Sequence, residues 1–123
     1  MILIVEDDAD NAAALREVLE DEGHQVTRAC DGHDALRLMA QGSVPELIIV
    51  DFMMPNLDGS QFARLVRADP RWGAVPMLML TANGPAAREA VGNMVDECLN
   101  KPIDLGVLLD AVETHVGKQR GHA

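Results

Sequence analysis

The chain has 123 residues and a mass of 13.3 kDa, the size of one domain, which removes roughly two-thirds of its unfolded surface from water. Its 10 Lys and Arg stand against 20 Asp and Glu, and the net charge of −10 disfavours direct binding to a nucleic-acid polyanion. A hydrophobic share of 48% excludes a disordered chain, and no apolar run approaches the ~18 residues that span a bilayer.

Ile2-Leu3-Ile4-Val5 is a short β-branched run of the kind that forms a buried parallel strand. Asp10 is placed to cap a helix running to about Asp21, with Leu15, Val18 and Leu19 on one face and Gly23 closing it. Gln25 to Ala29 reads as a weaker second strand, nearer an edge. Asp31-Gly32 then turns into a helix carrying Ala35, Leu36, Leu38 and Met39, ended by Gly42 and Pro45. Leu47-Ile48-Ile49-Val50 is the strongest strand signal in the chain.

Beyond Pro55 and Gly59 a helix carries Phe62, Leu65 and Val66 and stops near Asp69-Pro70, because proline disfavours the helical conformation before it. Met77 to Leu80 forms a fourth strand, Ala86 to about Met94 a short helical stretch, and Glu97-Cys98-Leu99 a short fifth strand. Asp104 caps a last amphipathic helix with Leu105, Leu108, Leu109, Val112 and Val116 on its apolar face. Five strands alternating with five helices imply an α/β fold with a doubly wound parallel sheet, in a single domain spanning 1–123 whose residues 117–123 read as a tail or linker stump.

The N-terminus runs straight into acids without the basic flank of an export signal. Cys30 and Cys98 are too few for a disulfide framework or a zinc site, and they are expected as buried free thiols in a reducing cytoplasm. His24, His33, His115 and His122 lack metal-ligand spacing and are expected at exposed or loop positions.

In open α/β sheets, ligands sit beyond the carboxyl ends of the strands. Here those ends carry Glu6-Asp7-Asp8, Asp51, Thr81 and, just past the fifth strand, Lys101. Two unit charges ~4 Å apart repel by about 4 kcal/mol at an effective dielectric near 20, so clustered carboxylates call for a hard divalent cation. Magnesium suits such a set, since it binds through one or two carboxylates, waters and a phosphate. An ionised aspartate can attack a phosphoryl group, with the metal and Lys101 neutralising charge and the Thr81 hydroxyl hydrogen-bonding an oxyanion.

Val5-Glu6-Asp7-Asp8, the run from Asp51-Phe52-Met53-Met54-Pro55 to Asn56-Leu57-Asp58-Gly59, Thr81-Ala82 and Lys101-Pro102, in that order, resemble a response-regulator receiver domain of two-component signalling. The likeness covers almost the whole chain. It implies a flavodoxin-like sheet of order 2-1-3-4-5 and a phosphoryl group accepted on Asp51 from a histidine kinase or phosphotransfer protein. Magnesium would be held by Glu6, Asp7, Asp51 and the main-chain carbonyl of Met53, with Asp7 a direct ligand. Thr81 and Lys101 would contact the phosphoryl group, and the Lys101-Pro102 bond would be cis. Phosphorylation would switch binding to a downstream protein, with no direct nucleic-acid or membrane contact by this domain.

Blander roles are assigned elsewhere. Asp8 is either a third acid of the site or a loop residue, Asp58-Gly59 is a turn, and Trp72 is a surface loop residue. Met53, Met54, Met77 and Met79 are expected in core packing. A dehalogenase-like phosphotransferase would want a second aspartate at position 53, which is methionine, and a nucleotide carrier would not place Glu6-Asp7-Asp8 against a phosphate. Two departures from the receiver pattern stand out. Cys98 occupies a place usually taken by an aromatic or histidine. Thr81 and Lys101 are 20 positions apart, slightly fewer than the family pattern implies, in a stretch where Asn83-Gly84-Pro85-Ala86 also lacks the usual acidic opening of the fourth helix.

Overall fold

The computed structural model describes residues 1–42 and 44–118. Five parallel strands, β1 (Ile2–Val5), β2 (Val26–Ala29), β3 (Leu47–Asp51), β4 (Met77–Thr81) and β5 (Glu97–Asn100), form one sheet in the order β2-β1-β3-β4-β5. Helices α1 (Ala9–Asp21), α2 (Gly32–Gln41), α3 (Gly59–Ala68), α4 (Gly84–Val91) and α5 (Leu105–His115) make the crossovers, and a 3-10 turn over Gly92–Met94 follows α4. The expected doubly wound architecture and strand order are both present.

The pleat explains why the three central strands are apolar up to their last residues. Leu3, Val5, Ile48, Val50, Met77 and Met79 point to one side, where Ala35, Met39, Phe62, Val66, Ala87 and Val91 of α2, α3 and α4 cover them. Ile2, Ile4, Leu47, Ile49, Leu78 and Leu80 point to the other, against Leu19 of α1 and Leu108, Ala111 and Val112 of α5. Both faces are buried, as parallel sheets require.

Several local expectations are corrected. Helix α1 is capped by Asp8 and not Asp10: Asp8 Oδ1 accepts the Asn11 N–H at 2.9 Å, which leaves Asp10 inside the first turn. Gly23 closes the helix as expected, at φ +91°. Asp58 is more than a turn residue, because it caps α3 in a reciprocal capping box with Gln61. Helix α4 begins at Gly84, two residues before the expected start, because the Asn83 side chain caps it.

Trp72 is not on the surface. It is 5% exposed and packs in the core with Val66, Val75 and Met77, while the Arg71 guanidinium lies 4.3 Å above its ring. The turn after α3 folds back on itself (Trp72 N–H to Asp69 O, 3.1 Å), carrying the indole under the helix. Met54, Met77 and Met79 are buried as expected, but Met53 is 70% exposed. Cys30 is exposed and donates its N–H to Asp34; Cys98 is half-buried, and burial pushes its thiol up against the opposing pull of Arg88. His33 is exposed, whereas His24 and His115 are half-buried beside acids, with His115 Nε2 2.7 Å from Glu97 Oε2. His122 and most of the expected 117–123 tail lie outside the described residues.

Candidate functional site

Parallel strands all end on the same side of the sheet, so the residues that close β1, β3, β4 and β5 meet there. Glu6 follows β1, Asp51 and Thr81 are the last residues of β3 and β4, and Lys101 follows β5. The polar side chains Glu6, Asp51 and Thr81 are only 3, 5 and 2% exposed, in surroundings otherwise made of apolar strand. Burying charge without a partner is costly, so each of these groups calls for an account of what it meets.

Asp51 is held from two sides. The Lys101 ammonium lies 2.7 Å from Oδ2, and the main-chain N–H of Met53 donates to Oδ1 at 3.2 Å. The lysine reaches it because its own N–H donates to Thr81 O at 2.8 Å, continuing the ladder, and the Lys101-Pro102 bond is cis as expected. The Thr81 hydroxyl oxygen accepts the Asn83 N–H at 3.0 Å, which leaves its proton free to be donated.

Glu6 is held on one side only. Oε1 accepts from the Asn11 amide at 3.1 Å, while Oε2 is buried and meets no donor. Burial, and then the adjoining Asp51 carboxyl, push Glu6 up to about 7 against smaller lowering influences from Asn11 and Lys101. Asp7 completes the cluster from the exposed side, and one oxygen from each of Glu6, Asp7 and Asp51 lies within 4.8 Å of the others. Three carboxylates, one of which keeps an orphaned buried oxygen, fit a hard divalent cation and do not fit a softer metal. Because Asp7 is open to solvent, such an ion would keep some of its waters.

Asp8 does not join the cluster; its carboxylate is occupied in capping α1. Two residues that shape the site were not anticipated. Asn11 orients Glu6 from the first turn of α1, and Arg28 on β2 donates to Glu6 O at 2.9 and 3.1 Å and to Asp7 O at 3.1 Å. The register pairing of Ile4 with Arg28, which only the folded sheet reveals, sets the guanidinium beside the end of β1. A cleft of about 410 Å³ lined by Leu15, Val18, Ile103 and Leu105 opens beside Glu6 and Lys101.

This geometry has known counterparts. Over residues 2–113 the chain matches the response regulator receiver domain family. Protein PilG of Pseudomonas aeruginosa is 32% identical over 117 residues, covering 94% of this chain and 86% of that protein. The transcriptional regulatory protein AfsQ1 of Streptomyces coelicolor is 35% identical over 112 residues, 89% of this chain and 48% of its own length. Among solved structures, the receiver domain of a sensor histidine kinase from Pseudomonas aeruginosa, with magnesium ion coordinated in the active site cleft, superposes with a TM-score of 0.84 at 31% identity, covering 95% of this chain and 97% of that one. The response regulator protein TrrA of Thermotoga maritima, in complex with magnesium and BeF, gives 0.84 at 26% identity, with 94 and 97% covered. The acid cluster, the lysine that reaches it and the strand order thus occur together in a chain that belongs to the response regulator receiver domain family.

Proposed function

We propose that Asp51 is the phosphoacceptor of a signalling switch, charged by a histidine kinase or a phosphotransfer protein and read by a downstream protein. One observation carries this reading: a buried carboxylate at the end of β3 is held 2.7 Å from a lysine that belongs to a different strand end, beside two further acids. A structural ion pair would not need those acids, and a lone cation site would not need the lysine.

Glu6, Asp7 and Asp51, with the main-chain carbonyl of Met53, would hold Mg²⁺. When bound, the ion supplies charge neutralisation at the phosphoryl oxygens. The chain's own residues do the rest. A carboxylate oxygen of Asp51 attacks phosphorus, forming the acyl phosphate O–P bond as the P–N bond of a phosphohistidine donor breaks and its electron pair returns to the imidazole. Lys101 exchanges its contact with Asp51 Oδ2 for one with a phosphoryl oxygen, keeping its positive charge where negative charge has moved. The Thr81 hydroxyl donates to another phosphoryl oxygen. Water attack on phosphorus later returns the carboxylate. Self-catalysed phosphorylation and dephosphorylation would be the chain's only chemistry, and residues 1–123 would act as one receiver unit in the cytoplasm.

Incubation with a small acyl phosphate and magnesium tests the assignment. One phosphoryl group is expected on the wild type by intact-mass measurement and none on Asp51→Asn. Full labelling of that variant would sink the reading.

A further inference from the structure

The first turn of any helix presents main-chain N–H groups with no acceptor inside the helix. In α4 these groups are satisfied in an unusual way. The side chain of Asn83, the N-cap, accepts from Ala86 N at 3.2 Å, its carbonyl accepts from Ala87 N at 3.0 Å, and Pro85 has no N–H to offer. The Gly84 N–H donates at 2.8 Å to Oδ1 of Asn100, a residue of β5 that directly precedes Lys101. The contact depends on glycine: a Cβ at position 84 would stand 2.7 Å from Asn100 Oδ1.

A second tether joins α4 to the site. Asn83 N–H donates to Thr81 Oγ1 at 3.0 Å. The anchors Thr81 and Asn100 are register partners on β4 and β5, and the Lys101 N–H closes the pair on Thr81 O. The two tethers respond differently to a phosphoryl group on Asp51. Turning the Thr81 side chain toward a new acceptor takes Oγ1 away from the Asn83 N–H. Nothing in that movement displaces Asn100, whose main chain is held in β5 beside Thr81.

We propose that Asn100 is a positioning residue that fastens the first turn of α4 to the strand end carrying Lys101, so that phosphorylation frees the Asn83 amide while the Gly84 amide stays held. The proposal rests on Asp51 being the phosphoacceptor. It makes residues 82–83 the moving joint and Gly84 the pivot. It also gives β5 a contact with α4 at a place where Cys98, with a small half-buried thiol, offers little bulk.

Site-resolved amide exchange on the full chain, with and without magnesium and beryllium fluoride as phosphoryl mimic, tests it. In the wild type the mimic should speed exchange at Asn83 by about tenfold, the equivalent of one lost hydrogen bond, and leave Gly84 unchanged. Asn100→Ala should speed Gly84 exchange by about tenfold in both states while Asp51 still accepts a phosphoryl group within a few-fold of the wild-type rate. Asn100→Asp keeps the oxygen acceptor and should restore the protection of Gly84. Equal protection of Gly84 in Asn100→Ala overturns the proposal, as does loosening of both amides together when the mimic binds. If the wild type binds no mimic and accepts no phosphoryl group, the phosphoacceptor reading fails and the coupling falls with it. The mimic-free comparison still shows separately whether Asn100 holds α4.

Discussion

The Glu6 carboxyl adjoins that of Asp51 in the same buried pocket, and Glu6 holds its proton well above the usual carboxylate range. Its ordinary value of 4.5 rises to about 7, chiefly through burial and then through Asp51. Between those limits the folded chain holds a proton that the unfolded chain has lost. Stability of the metal-free protein should therefore fall as pH rises from 4.5 to about 7, and flatten beyond. Asp34 and Asp69 are held below their ordinary 3.8, the first by the Cys30 amide and the second by Arg71, so they act at lower pH. Urea midpoints across the range read the slope, and a midpoint that climbs through this window contradicts the assignment.

Magnesium should remove that slope, because a cation shared by Glu6, Asp7 and Asp51 favours the ionised carboxyl. At 100 times its dissociation constant the ion adds about 2.7 kcal/mol to stability. Thermal melts in millimolar magnesium should shift upward well beyond those in sodium chloride of equal ionic strength. Asp7→Ala should abolish most of the shift. Met53→Ala should keep it, since that side chain is 70% exposed and only its main chain would face the ion.

Lys101→Ala separates the lysine from the metal. Magnesium affinity should remain within a few-fold, whereas labelling of Asp51 by a small acyl phosphate should slow by roughly 10²-fold or more, as when other preorganised charge stabilisers are removed. Equal losses in both measurements would place the lysine among the groups that hold the ion.

Trp72→Ala gives a stability test of the fold. A buried indole replaced by alanine costs about 3–5 kcal/mol, whereas a surface substitution changes stability by about 0.5 kcal/mol at most. Denaturant unfolding with an unchanged slope should show the larger loss. Arg71→Ala, which removes the exposed cation 4.3 Å above the ring together with its ion pair to Asp69, should cost far less than loss of the indole.

Cys98→Ala and Gly84→Val report on how the signal leaves the site. The alanine change should leave phosphorylation-dependent partner binding within a few-fold of wild type. The valine places a Cβ 2.7 Å from Asn100 Oδ1 and should uncouple binding from phosphorylation. If the cysteine change erases the phosphorylation dependence and the valine change spares it, the thiol is the switch.

Sequence alone was a good guide wherever one physical pattern dominated. Both faces of the sheet are covered, so its central strands appear as apolar runs. Their alternation with helices implied the doubly wound parallel class, and the receiver likeness implied the strand order. The carboxylates, Thr81 and Lys101 were legible because parallel strand ends must converge. Partners that depend on tertiary approach were not. Arg28 lies on the strand read as the weaker, and its guanidinium works by holding the carbonyls of another strand end. Trp72 sits in a run of Asp, Pro, Arg and Gly that signals a loop, and only the fold-back of that turn buries the ring. The cap of α1 moved from Asp10 to Asp8 because three acids there compete for one role.

The convergence of four strand ends also makes the site a gauge of completed folding. Glu6, Asp51, Thr81 and Lys101 come from far-separated parts of the chain, and bringing the two ends of each connecting segment together carries an entropic penalty that the sheet alone must offset. No hairpin or single crossover brings these groups together. The pairings β1 with β3, β3 with β4 and β4 with β5 must all be in register before Asp51 meets both Glu6 and Lys101. A chain stalled partway would have the carboxylates but not their arrangement, and it would accept neither the ion nor the phosphoryl group. Such a receiver cannot report a signal before it is fully folded.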